Sequence, residues 1–347
     1  MKKNSTRIEP LSEEEINNSK VVAVMNNKGG CAKTTTSIAF GLQMARLGYR
    51  VLFVDSDPQS NMSQRLGMDD NMFRERRISE LFQKSEINQS KKERLSLPLA
   101  IDYPYFSRAK GSSEKPGILA LLPGSRNAEI EAKASKDRFI NSETIPRPEL
   151  TPFFKERIDV FREYFDYIVI DTAPAMEGNV LNVITTGVVD EIVCPVDGLE
   201  AALGIPSLYR WVYGKTVENN ITPNMTFAMV KYHTDSFNLG YEEEAYMDDE
   251  YVHNSVYQCL KETFGDFMCK SGVREQRTLR NAVQGFIKSP YQALSNELHD
   301  RFTSEIHENI FEATDPTILK IFSERLNVIE KKALVKKPTF KEPYFVL

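Results

Sequence analysis

The sequence has few cysteines and no long apolar run. It has only four cysteines in 347 residues, and no two of them form a Cys-x-x-Cys pair. No disulfide framework is indicated, and this usage is typical of a reducing cytosol. The longest apolar runs, 117–122 and 167–170, are far shorter than the roughly 20 residues that cross a bilayer. The polar N-terminus also lacks the apolar segment of a secretory signal.

No large excess of charge of either sign is present. The chain has 44 Lys and Arg residues against 49 Asp and Glu residues, which gives a formal net charge of −5. Binding to nucleic acid would therefore need a local basic patch, because the overall field does not favour it. His233 and His253 have no second ligand at a useful spacing, so no metal other than magnesium is predicted.

Short apolar runs alternate with helical stripes along the chain. The predicted strands are 21–25, 51–54, 167–170, 191–196, 226–232 and 266–270, with helical patterns at 34–47 and 154–165. Continuous apolar runs are typical of strands that are buried on both faces. The pattern predicts an α/β fold with a doubly wound, mostly parallel sheet flanked by helices, and ligands outside the carboxyl ends of the strands.

The predicted domain is flanked by two terminal segments. Residues 1–20 form a polar leader, 21–316 the domain with a surface insertion at about 67–116, and 317–347 a helix and basic tail. In the last segment an apolar stripe recurs at helical spacing, at Phe322, Leu326, Ile329 and Ala333. Such a helix could bind a membrane surface, but its polar face mixes acids with bases. Packing against the sheet or a partner subunit is favoured, and stable membrane association is not expected.

The segment between the first strand and the first helix has the most specific pattern. It reads Lys-Gly-Gly-Cys-Ala-Lys-Thr-Thr and resembles the phosphate-binding loop G-x-x-x-x-G-K-[ST]. Its backbone N–H groups should cradle phosphate oxygens at the positive end of the following helix. The residues expected to bind nucleotide are Lys28, Gly29, Gly30, Cys31, Ala32, Lys33, Thr34 and Thr35. Within this set, Lys33 should reach the β- and γ-phosphates, and the Thr34 hydroxyl should bind Mg²⁺.

The loop departs from the general pattern in having a second lysine. Lys28 occupies the position of the first glycine, although Lys33 already supplies the local positive charge. A second lysine is explained if Lys28 reaches a nucleotide that is held by another subunit. The loop therefore predicts a dimer as well as a ligand.

Three aspartates follow predicted strands beside this loop. Asp171 ends the strand 167–170, and Asp55 and Asp57 follow the strand 51–54. Carboxylates at these places can hold Mg²⁺ or orient an attacking water. Strand-end aspartates also serve as helix caps, which is the alternative for each one taken alone.

Together these motifs resemble the ParA/Soj family of deviant Walker-A ATPases. The family pattern K-G-G-x-x-K-T-[ST] is matched at 28–35, D-x-D-P-Q at 55–59 and the Walker-B segment at 171–174. Weaker similarity covers 117–124 and 190–196, and the whole resemblance spans roughly residues 20–300. It implies ATP or ADP and Mg²⁺ as cofactors.

The resemblance also implies roles for single residues. Lys28 would be the lysine that crosses to the partner's phosphates in an ATP-sandwich homodimer. Asp57 would act in hydrolysis, and Asp55 would lie nearer the metal. Adenine would be bound by a loop at about 273–277, with Gln276 as the best polar candidate.

A basic segment follows the last predicted strand. Five cations occur within nineteen positions, at Lys270, Arg274, Arg277, Arg280 and Lys288. Each phosphate contact would release counterions, so a few cations per subunit, doubled by dimerisation, could bind duplex DNA strongly only in the ATP state. The alternative is a solvated basic helix end, or arginines that pair with local acids.

The sequence favours one of three functions. The first is DNA partition in the cytoplasm, where an ATP-bound dimer binds the nucleoid non-specifically and a ParB-like protein stimulates hydrolysis. The second is a MinD- or McdA-like positioning ATPase that acts on a membrane or a protein cargo. The third is an assembly ATPase related to the nitrogenase iron protein, which would need cysteines at a cluster-binding spacing. Asp57-Pro58-Gln59 favours partition, although the sequence does not identify the cargo.

Overall fold

The computed structural model describes residues 8–67, 99–100, 117–124, 152–174, 176, 179–232, 249–274, 291–304, 308–314 and 317–335. The strands are β1 (Lys20–Val24), β2 (Arg50–Asp55), β3 (Leu99–Ala100), β4 (Ile118–Leu122), β5 (Tyr167–Asp171), β6 (Glu191–Val196), β7 (Asn224–Tyr232) and β8 (Val273–Arg274). The helices are α1 (Glu13–Asn18), α2 (Lys33–Arg46), α3 (Asn61–Arg65), α4 (Pro152–Arg162), α5 (Asn179–Thr185), α6 (Leu199–Leu203), α7 (Ile205–Asn219), α8 (Asp249–Phe264), α9 (Tyr291–Thr303), α10 (Ile310–Ala313) and α11 (Ile318–Val335).

The described strands form one sheet in the order β3-β4-β2-β5-β1-β6-β7-β8. All neighbours are parallel except β3 and β4. The chain passes from β1 across β5 to β2, whereas β6 and β7 extend the sheet on the other side of β1. The predicted doubly wound, mostly parallel sheet is thus confirmed. Ligand sites in such sheets lie where the strand order reverses, which here is the carboxyl end of β1.

Alternate residues of the central strands pack into two separate cores. In β1, Val21 and Ala23 belong to the core that also contains α4, while Val22 and Val24 belong to the core under α2 and α9. Helices therefore cover both faces of the sheet. This is why the strands are continuously apolar rather than alternating.

Helix α2 lies unusually close to β2. A Cβ atom on Gly41 would be 2.3 Å from Cε1 of Phe53, a side chain that is fully buried. Only glycine allows this approach without moving the ring. The contact positions the helix whose first turn follows the predicted phosphate-binding loop.

The predicted strand at 266–270 is wrong. A 3-10 turn occupies Gly265–Phe267, and Met268 makes only an isolated bridge to Phe227. The N–H groups of Lys270 and Ser271 donate to the Glu297 carboxylate on α9, at 2.8 and 2.7 Å, instead of to a strand. The edge strand forms later, as β8.

Most of the predicted insertion at 67–116 lies outside the described residues. Within it, β3 pairs with β4 at the sheet edge. Sequence reasoning placed no strand there, because a two-residue strand has no periodicity to detect.

The described parts of both terminal segments pack onto the domain. Ile8 and Leu11 are buried, and the Leu11 N–H donates to the Glu163 carbonyl. In α11, Phe322 and Leu326 are fully buried in the α4-side core. The favoured interpretation of the C-terminal stripe as a packing surface is thus confirmed for these two residues. Among the described helices, none is long and apolar enough to span a membrane.

The close approach at Gly41 predicts opposite effects of the same substitution at two helix glycines. Gly41→Ala should lower the free energy of unfolding by about 1–3 kcal/mol, because the Phe53 ring must move. Gly214→Ala, in α7, should raise it by about 0.5–1 kcal/mol, since a Cβ there meets no atom within 4 Å. Urea denaturation measures both, and equal stabilisation by the two variants would contradict the packing.

Candidate nucleotide and magnesium site

The loop between β1 and α2 bends through two left-handed residues. Gly30 has φ 80° and Ala32 has φ 65°, and α2 begins at the next residue. The left-handed region is unfavourable for alanine by roughly 1 kcal/mol, so the loop holds Ala32 in a strained conformation. A Cβ on Gly29 or Gly30 would meet no atom within 4 Å, which leaves the outer side of the loop open to a ligand.

The buried side chain of Asn26 fixes the loop to the sheet. Its Oδ1 accepts the N–H of Lys28 at 2.9 Å, and its Nδ2 donates to the Pro195 carbonyl of β6 at 2.9 Å. The Cys31 thiol donates to the Lys28 carbonyl at 3.2 Å. Sequence reasoning missed Asn26, although an asparagine two residues before a backbone N–H is a common turn signal.

Lys33 points back into the loop. It is only 7% exposed, and its Nζ donates to the Lys28 carbonyl at 2.8 Å. The first turn of α2 has no side-chain cap. A buried ammonium group and uncapped helix N–H groups together favour an anion at this position.

Lys28 points away from the loop. Its Nζ forms an ion pair with Glu200, the second residue of α6, and the two side chains are 44% and 74% exposed. The hydrogen bond to Glu200 raises the pKa of Lys28. A pair this exposed contributes little to stability, so Lys28 can exchange this partner at small cost.

Asp55 and Asp171 lie side by side at the carboxyl ends of β2 and β5. Their Cα atoms are partners in the strand register, and both side chains are fully buried. Asp55 accepts on Oδ2 from the N–H and the hydroxyl of Ser63, at 2.8 and 2.6 Å. Asp171 Oδ1 lies 3.0 Å from the Ser37 hydroxyl. The other oxygens, Asp55 Oδ1 and Asp171 Oδ2, are buried and have no hydrogen-bond partner among the described residues.

Burial raises the pKa of both carboxyl groups above its usual value. Desolvation and then the charge of Asp171 raise the pKa of Asp55 to about 7. Desolvation raises the pKa of Asp171 to about 6, against hydrogen bonds from Thr34 and Ser37 that lower it. Two buried acids that each keep one oxygen without a donor fit a hard cation such as Mg²⁺, which takes one or two carboxylates and leaves its other positions to phosphate and water.

Asp57 lies next to this pair. It is 6% exposed, and its charge raises the pKa of both Asp55 and Asp171. Its Oδ1 accepts the Gln59 N–H at 2.9 Å, and its Oδ2 accepts from the Asn61 amide at 3.2 Å. These bonds orient the carboxylate at the rim of the site.

Of the other predicted site residues, some lie among the described residues and some do not. Thr35 lies in the first turn of α2 and accepts a hydrogen bond from Arg65 at 2.7 Å. Lys270 is exposed, and Arg274 is described only as a residue of β8. Gln276, Arg277, Arg280 and Lys288 lie outside the described residues. The adenine and DNA contacts therefore stay predictions.

Comparisons with known proteins show the family and the fold. A family model described as an AAA domain matches residues 19–227. The sporulation initiation inhibitor protein Soj of Bacillus subtilis is 28% identical over 178 residues, which cover 51% of this chain and 58% of Soj. The matched segment therefore spans less than two thirds of that relative.

Solved structures share the fold at low identity. Cobyrinic acid a,c-diamide synthase from Mycobacterium smegmatis, with a bound ATP analogue and magnesium, has a TM-score of 0.58 at 19% identity; 82% of this chain and 96% of that chain are covered. A plasmid partition protein from Borrelia burgdorferi, bound to AMPPNP, has a TM-score of 0.51 at 17% identity, with 81% and 99% covered.

The raised pKa of Asp55 predicts a pH-dependent effect of Asp55→Asn. Because the folded pKa lies above the unfolded value, the folded state binds more protons, and the wild type loses stability as pH rises from about 4 to 7. The variant lacks this loss. In EDTA at pH 8 the variant should be more stable than the wild type by about 1–4 kcal/mol, since each pKa unit corresponds to about 1.4 kcal/mol. The difference between the two proteins should vanish near pH 4.

Thermal unfolding at both pH values checks this, with the exposed Asp266→Asn as control. A variant that is less stable than wild type at pH 8 would contradict the assigned environment of Asp55.

Proposed function

The chain belongs to the AAA domain family, and from this premise we propose that it is a Mg²⁺-dependent ATPase of DNA partition, of the ParA/Soj type to which its similarity to Soj points. In this proposal ATP drives formation of a sandwich homodimer in the cytoplasm. The dimer binds duplex DNA of the nucleoid without sequence preference, and a ParB-like partner stimulates hydrolysis and release.

The proposal depends most on the different positions of the two loop lysines. Lys33 is buried and directed into its own loop, whereas the side chain of Lys28 is exposed and paired with Glu200 on the surface. Lys28 is therefore available to a phosphate held by a second subunit. Such a contact makes nucleotide binding and dimer formation depend on one another.

The aspartates would have two different roles, metal binding and alignment of the attacking water. Asp55 and Asp171, with Thr34, would hold Mg²⁺, and the ion would supply positive charge to offset that of the phosphates. Asp57 would accept a hydrogen bond from the attacking water and align it. Lys33 and the first turn of α2 would neutralise the phosphates of the bound nucleotide.

The basic segment 270–288 would supply the DNA contacts. Its five cations are too few to bind tightly in one subunit, but a dimer presents ten. Because each phosphate contact adds to the dependence on salt, doubling the contacts steepens that dependence. ATP control of dimerisation would in this way become ATP control of DNA binding.

This function predicts that ATP and Mg²⁺ together make the protein dimerise and bind arbitrary duplex DNA. Light scattering should report the dimer, and binding to a DNA fragment of random sequence should weaken steeply with salt. Lys33→Ala should show neither, because it loses the buried cation of the phosphate site.

Parallel flotation with liposomes separates this function from the positioning alternative. ATP-dependent retention on liposomes without retention on DNA would contradict partition and support a membrane-acting ATPase. Dimerisation without binding to either surface would favour a protein cargo.

If Asp57 acts on the attacking water, its loss should slow ATP hydrolysis without preventing dimerisation or DNA binding. Asp57→Ala should still dimerise and bind DNA with ATP, while ATP hydrolysis falls about 100-fold or more, the usual range for loss of a group that acts on the water. The exposed Asp159→Asn on α4 is the control. Unchanged turnover in Asp57→Ala would reject the assigned role.

A further inference from the structure

A chain of hydrogen bonds joins the end of β4 to the carboxylate that ends β2. The Gly124 N–H donates to Ser63 Oγ at 2.9 Å, and the Ser63 hydroxyl donates to Asp55 Oδ2 at 2.6 Å. The Ser63 N–H donates to the same oxygen at 2.8 Å. Since Ser63 Oγ accepts from Gly124, its own hydrogen is left for Asp55, and the direction of the chain is fixed.

This chain gives the two oxygens of Asp55 different environments. Oδ2 receives two donors, while Oδ1 is buried with no hydrogen-bond partner among the described residues. Turning the carboxylate would break both bonds to Ser63. Asp55 is thus held with Oδ1 as the oxygen left for a cation.

The end of β4 is packed closely against this carboxylate. A Cβ on Gly124 would lie 2.7 Å from Ser60 Oγ and 3.0 Å from Asp55 Cγ. A side chain at that position would push on Asp55 directly. The backbone N–H of Gly124 reaches Ser63 only because no side chain intervenes.

We infer that Ser63 is a positioning residue for magnesium, because its hydroxyl fixes Asp55 with Oδ1 turned to the metal. The inference rests on the proposed ATPase function. Ser37 is a weaker candidate for the same role at Asp171, since its hydroxyl lies 3.0 Å from Asp171 Oδ1 but also 3.1 Å from the Lys33 carbonyl. Its single hydrogen is shared between two acceptors, whereas that of Ser63 is not.

The test measures metal affinity, not turnover. Mn²⁺ replaces Mg²⁺ as a paramagnetic probe, and its binding to the protein–ADP complex is titrated by electron paramagnetic resonance. Ser63→Ala should raise the Mn²⁺ dissociation constant about 10–100-fold, the usual effect of removing a group that orients a metal ligand. The affinity for ADP in EDTA should not change, and Ser63→Thr should restore Mn²⁺ binding.

Ser19→Ala is the matched control for loss of a buried hydroxyl. Ser19 is 3% exposed and donates to the Phe165 carbonyl at 2.8 Å, near the amino end of β1. It should leave Mn²⁺ binding unchanged. If Ser63→Ala does not fold, Ser63→Cys fills the site with a slightly larger group that is only a weak donor, and it should weaken Mn²⁺ binding in the same way.

Two results would overturn the inference alone: wild-type Mn²⁺ affinity in Ser63→Ala or Ser63→Cys, or an equal loss in Ser19→Ala. A wild-type protein that binds neither ADP nor Mn²⁺ would instead contradict the proposed ATPase function.

Discussion

The burial of two neighbouring carboxylates, Asp55 and Asp171, is the constraint on which the site depends. Parallel pairing of β2 with β5 sets their Cα atoms in register, and helices on both faces of the sheet exclude water from them. When two carboxylates are buried side by side, each favours protonation of the other unless a cation neutralises their charge. A divalent metal at this place, directly beside a loop suited to phosphate, would therefore stabilise the protein.

The surrounding contacts hold this arrangement in place. Asn26 ties the phosphate-binding loop to β6, and Ser63 ties Asp55 to the end of β4. Gly41 lets α2, the helix that begins at Lys33, lie directly on β2, the strand that ends at Asp55. Loop, helix and both carboxylates are thus tied to the same sheet, which favours alignment of phosphate and metal. The Lys28 side chain, by contrast, is exposed at the surface, where the proposed dimer would use it.

Sequence patterns predicted the main features of this site because these features are local. The loop follows an apolar strand and precedes an amphipathic helix, and the aspartates directly follow strands, so order along the chain was enough to place them. The roles of Asn26, Ser63 and Gly124 depend on contacts between distant segments, which periodicity does not report. The strand expected at 266–270 failed for the same reason. Its apolar residues have a strand-like composition, but the Glu297 carboxylate, far along the chain, takes the N–H groups that a strand would need.

Proton release on metal binding tests the central role of the buried acids most directly. With the pKa of Asp55 at about 7 and that of Asp171 at about 6, a cation that binds both should displace about half a proton or more at pH 7. Calorimetry of Mg²⁺–ADP binding in buffers of different ionisation enthalpy measures this number, with ADP in EDTA as the reference. The account predicts that release is absent at pH 9 and grows as pH falls, to about half a proton at pH 7 and more than one proton at pH 6. Binding of Mg²⁺–ADP without any release at pH 6 to 7 would contradict it.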